Sequence, residues 1–145
     1  MPRIATLVLA FAAAAAYAPA FDLESIKNEP KVERRSELAL ANANEAFRAA
    51  KDAFQNGDLE KGKAAAEELG LSVEYAYSCL VDGGKNARNS LGSFKKAELS
   101  TRQVLRRLEG LIDSVSVDER PPLEGIRARI LSIHDSLIVA IMKKK

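Results

Sequence analysis

Apolar residues recur along this chain at intervals of three and four, and that spacing limits what it can fold into. A helix turns once every 3.6 residues, so side chains three and four apart lie on one stripe. Leu40, Ala43, Phe47, Ala50 and Phe54 make a first stripe, and Ala66, Leu69, Val73, Ala76 and Leu80 a second. Ala87, Leu91, Phe94, Thr101, Leu105, Leu108, Ile112 and Val115 make a third, and Leu123, Ile126, Ile130, Ile133, Leu137 and Ala140 a fourth. No stretch of comparable length alternates with the period of two of a half-buried strand. Sustained spacing of this kind belongs to bundles and coiled coils, so the expected class is all-α.

The punctuation divides the pattern into helices at about 31–56, 59–82, 85–115 and 121–142. Asn56-Gly57 suits a left-handed helix end and Asp58 a cap on the next helix. Asp82-Gly83-Gly84 separates the second helix from the third, and Pro121-Pro122 is tolerated in the first turn of the fourth. Connections this short predict an antiparallel up-down four-helix bundle. Gly62, Gly70, Gly92 and Gly110 fall inside the helices, where each costs up to about 1 kcal/mol relative to Ala. Close helix approach or a local bend would explain them, and Gly70 is the candidate for a kink. Residues 21–30 form a lead-in segment set off by Pro30, and residues 31–145 the bundle domain.

Residues 1–20 have the layout of a secretory signal peptide: basic Met1-Pro2-Arg3, an uncharged run from Ile4 to Ala18, and small residues at Ala18 and Ala20. They predict an exported chain, periplasmic or extracellular, with cleavage near Ala20. The alternative is a membrane anchor formed by residues 4–20. A spanning helix wants about 20 strongly apolar residues, whereas this run is short, rich in Ala and closed by Pro19. The only cysteine is Cys79, so no lipidated cysteine follows the leader. Ala16-Tyr17-Ala18-Pro19 is also similar to the Ala-Phe-Ala-Pro junction of plastid-targeted proteins in algae with complex plastids, which implies plastid targeting as a further alternative.

Composition excludes several functions. With 47% hydrophobic residues in a length of 145 and a formal net charge of only +2, the chain is too apolar for disorder and not basic enough overall for nucleic acid. One cysteine rules out an internal disulfide, a cysteine-based zinc site and an iron–sulfur cluster within the chain. One histidine rules out a metal site needing two imidazoles. A glycine-rich phosphate loop, a nucleophile elbow and a paired-histidine helix motif are all missing. The expectation is an interaction or structural module of the cell envelope without a cofactor, metal or catalytic residues; an alternative is a bundle that binds a small ligand or cofactor in an apolar pocket between its helices.

Two local resemblances bear on function. Ala46, Ala49, Ala50 and Ala53 followed by Gly57-Asp58-Leu59 resemble the helix-turn-helix of a tetratricopeptide repeat. That repeat is about 34 residues with two short helices; here the helices are too long and there is no second copy, which leaves a plain helical hairpin. The stretch from Asn56 through Ala64-Ala65-Ala66-Glu67 to Leu69 resembles part of the last hairpin of the small periplasmic b-type cytochromes, which are exported four-helix bundles. That resemblance implies a ligand histidine where this chain has Tyr77, and a methionine near the start of the first helix where it has none. Haem is therefore not expected.

The remaining candidates are single residues and charge. His134 borders the fourth stripe and is expected to bond a neighbour rather than to act as a general base, since Ser132 and Ser136 form no triad with it. Cys79 is expected either as a small buried residue or as an intermolecular thiol; Tyr75 shares its face and Tyr77 points elsewhere, exposed or lining a groove. Residues 58–82 hold six acids against Lys61 and Lys63, while residues 85–107 hold seven bases against Glu98. Pairing between these two helices would consume the charges. Alternatively Lys95, Arg102 and Arg106 form a basic strip for an anionic envelope surface or an acidic partner. Lys143, Lys144 and Lys145 could extend a cationic end. The partners expected are a protein or a second copy along a helical face, and no nucleic acid, because the strip lacks interleaved aromatics.

Overall fold

The computed structural model describes residues 22–143. The leader at residues 1–20, with its anchor and plastid alternatives, and Lys144 and Lys145 lie outside the described residues. Five helices follow in order: α1 (Leu23–Ile26), α2 (Val32–Gln55), α3 (Leu59–Asp82), α4 (Leu91–Ser114) and α5 (Arg120–Met142), with a 3-10 turn at Val117–Glu119 before α5. Among the described residues there is no strand. The four long helices form an all-α bundle. None of the described helices is long and apolar enough to cross a membrane.

Local chemistry sets most boundaries. Gly57 turns the chain at φ +76°, and the Asp58 carboxylate caps α3 by accepting the Lys61 N–H at 3.2 Å. Pro121 and Pro122 occupy the first turn of α5, where no backbone donor is needed. The expected third helix begins six residues late. Asn86 Oδ1 accepts the Asn89 N–H at 3.0 Å and the Asn86 carbonyl accepts the Ser90 N–H at 2.8 Å. Local bonds of this kind compete with the helical ladder, so residues 83–90 form a link rather than a first helical turn. The lead-in packs on the bundle: α1 buries Leu23 and Ile26, and Lys27 sits over the Tyr75 ring at 5.9 Å.

The helices alternate in direction, yet α3 and α4 are not side by side. The neighbours around the bundle are α2 with α3, α3 with α5, α5 with α4, and α4 with α2. Glu37–Lys96 and Asn44–Arg107 contacts align α2 and α4 in the same direction. Glu109–Arg127 and Glu98–His134 run α4 antiparallel to α5. The eight-residue link has the reach to cross the diagonal, at roughly 3.3 Å per residue. The expected pairing of the acids of α3 with the bases of α4 therefore does not form: no ion pair joins these helices among the described residues.

Two apolar clusters fill the interior. The larger includes Phe47, Phe54, Leu69, Leu108, Leu123 and Ile130, and the smaller Leu40, Leu80, Ala87, Phe94 and Leu137. Asn42, Ser72 and Thr101 are buried polar residues; Asn42 Nδ2 donates to Ser72 Oγ and to Glu68 Oε1, both at 2.8 Å.

The glycines sort by what surrounds them. α3 runs on through Gly70 as one helix; a Cβ there would lie 3.3 Å from Arg129 Cζ and 3.4 Å from Ile126 Cδ1, so close approach of α5 accounts for this glycine and no kink need be invoked. At Gly62 a Cβ would come within 2.8 Å of the Phe54 ring, whereas at Gly110 and Gly125 it would meet nothing within 4 Å. Gly110→Ala and Gly125→Ala should each stabilise the bundle by up to about 1 kcal/mol. Gly62→Ala should destabilise it by about 1 kcal/mol, because overpacking outweighs the propensity gain. Urea midpoints check the opposite signs.

Candidate functional site

Helix periodicity puts Lys95, Arg102 and Arg106, seven and four residues apart, on one exposed stripe of α4. Leu99 falls between them and is 46% exposed, so the strip carries an apolar knob among its cations. Arg102 Nε lies 3.3 Å from Glu98 Oε1. Glu98 is drawn inward: its side chain is 13% exposed, and His134 Nε2 of α5, 18% exposed, lies 2.9 Å from the same oxygen. The two side chains are within hydrogen-bond distance of each other. His134 is thus a boundary residue that ties α5 to α4. The second base pair of the face, Lys96 and Arg107, turns toward α2, where Lys96 meets Glu37 and Arg107 meets Asn44.

Tyr77, Cys79 and His134 are not brought together, and no hydrogen bond joins any two of them among the described residues. Cys79 is a free, buried thiol, 6% exposed. Burial, and then the Cys79 thiol beside it, push the Tyr75 phenol above its ordinary value. Tyr77 faces the other way and lines an open groove between α3 and α5, with Ala128, Leu131, Val139 and Ala140 among its walls.

No protein-family model matches the chain, and no curated protein matches it. What the molecule can bind must be read from its own surfaces.

The densest polar arrangement was invisible in the sequence. Arg129 of α5 reaches across Gly70 and is gripped by two carboxylates of α3. Its Nε and Nη2 donate to Glu74 at 2.8 and 3.1 Å, and its Nη1 donates to both Glu67 oxygens at 2.9 and 2.8 Å. Glu74 foremost and then Glu67 raise the guanidinium above its already high ordinary value. The forked geometry suits arginine and not lysine. Glu67 and Glu74 are seven apart, so their shared stripe was legible; their partner was not, because it depends on α5 running beside α3. The clamp joins two helices and leaves the α3 acids facing away from the α4 strip.

Proposed function

We propose that this chain is an exported, non-enzymatic interaction module of the cell envelope, and that it docks an acidic protein surface along α4. The observation carrying this proposal is the diagonal placement of α3 and α4. It leaves Lys95 and Arg106 without an acidic partner from α3, on an exposed stripe that has Leu99 at its centre. An apolar residue within a charged rim is the anatomy of a protein-binding patch rather than of a bare polyanion site. Export rests on the leader at residues 1–20.

Binding of the purified chain to immobilised polyglutamate should fall steeply between low and high salt, since exposed charges are screened. Lys95→Glu with Arg106→Glu should weaken it more than tenfold while leaving the melting curve unchanged, because both side chains are exposed. Arg102 is better replaced by Gln, as Glu at 102 would stand beside Glu98. Binding that ignores both salt and charge reversal contradicts the proposal. Cosedimentation with anionic vesicles in the absence of polyglutamate binding would replace the acidic protein with a lipid surface.

A further inference from the structure

The groove lined by Tyr77 does not end within the α3–α5 wall. Its last wall residue, Ala140, also lines a second depression at the end of the bundle, floored by Phe94 and Val81 and rimmed by Lys85, Arg88 and Lys143. The groove has a volume of about 620 Å³ and the depression about 360 Å³. The two meet at Ala140 and make one open path along the surface, whose walls set Ala128, Leu131, Val139 and Tyr77 beside the polar Ser132, Asp135 and Ser136 and whose far end is cationic. From Ala128 to Ala140 the helix rises about 18 Å, roughly the reach of a fourteen-carbon alkyl chain.

Two large apolar side chains of the groove are open to solvent. Val139 is 46% and Leu131 37% exposed, while Ala128 stands between them and the start of α5. The three bases are not equally free. Lys85 Nζ is 2.8 Å from Glu33 Oε1, and this bond holds the Glu33 carboxyl below the usual carboxylate range. Arg88 and Lys143 therefore supply most of the open positive charge. The flank bears acids: Asp135 at the rim, and Glu67 and Glu74 around Arg129.

We propose that this channel binds a single-chain anionic amphiphile, a long-chain carboxylate, with its head at Arg88, Lys143 and Lys85 and its chain along Ala140, Val139, Leu131 and Tyr77. Charge complementarity selects the head group, since the bases gather only at the end of the groove. The same distribution disfavours an intact anionic bilayer, which would press against Asp135, Glu67 and Glu74. The site is separate from the α4 strip and does not depend on it.

Isothermal titration of the full chain with decanoate, dodecanoate and tetradecanoate below their micellar concentrations tests the assignment. One site per chain is expected, with a dissociation constant on the order of ten micromolar for tetradecanoate and a tightening of up to roughly fourfold for each methylene buried. Dodecanol, which has the chain without the charge, should bind at least tenfold more weakly than dodecanoate. Arg88→Glu with Lys143→Glu should weaken dodecanoate more than tenfold, and Leu131→Glu with Val139→Glu should abolish it. All four side chains are exposed, so melting curves should not move. Asp135→Asn should tighten binding, and Lys95→Glu with Arg106→Glu should leave it unchanged. Equal binding of dodecanol, binding indifferent to the channel variants, or binding only to anionic vesicles would overturn the proposal.

Discussion

Phe94→Ala should lower the unfolding free energy by about 3–5 kcal/mol, in the range for an aromatic removed from a tight core. Phe94 heads the largest fully buried side chains and is 1% exposed. Its cluster is built from small residues, with Ala39, Ala76, Ala87 and Ala97 alongside Leu40, Leu80 and Leu137. Alanines carry no long side chain that can swing in to fill a void, so the cavity should persist and the loss fall at the upper end. The position adds to the cost. Phe94 lies in the first turn of α4, whose cap residue Ser90 makes no side-chain capping bond, and it helps hold the buried Ala87 of the preceding link. Equilibrium urea unfolding measures the effect; a loss below about 1 kcal/mol would mean the core collapses around the gap. Leu91→Ala, at a half-buried position one turn earlier, serves as the milder comparison.

The second large effect is expected at Asn42. Both hydrogens of its amide are used, one by Ser72 and one by Glu68, and the residue is 1% exposed. Asn42→Ala removes the donor and leaves the buried Ser72 hydroxyl without it, at a cost of about 2–3 kcal/mol. Adding Ser72→Ala should recover about 1 kcal/mol of that loss, a coupling that a double-mutant cycle reads directly. Additive losses would show that the two side chains act independently. The pair has a second role. Sliding α2 by a heptad along α3 would part the buried amide from the buried hydroxyl, so Asn42 opposite Ser72 penalises shifted registers.

The stripes read from spacing are the stripes that are buried. Ala66, Leu69, Val73, Ala76 and Leu80 are each at most 1% exposed, as intervals of three and four require of a helix packed on one side. The ends of α3 match the glycine and aspartate punctuation at Asn56-Gly57-Asp58 and Asp82-Gly83. The start of α4 does not, because Asn86, Asn89 and Ser90 offer the backbone alternative bonds that a hydrophobic pattern does not register. Among the candidate residues, the shared stripe of Lys95, Arg102 and Arg106 was legible, since it depends only on one helix. His134 on Glu98 and Arg129 between Glu67 and Glu74 were not, since each joins residues from helices whose adjacency no local signal encodes.

Sequence alone thus determined four long amphipathic helices, the side each one buries, and most of the turns between them. The tertiary structure decided which helices touch. A hydrophobic stripe specifies that a face is covered and is silent about what covers it, and an eight-residue link spans a neighbour or a diagonal equally well. Volume packing and a few buried or forked polar contacts made that choice, through Asn42 with Ser72 and Arg129 with its two glutamates. By setting α3 diagonal to α4 they kept the opposite charges of the two helices apart, and so left the basic strip of α4 and the groove between α3 and α5 as separate surfaces.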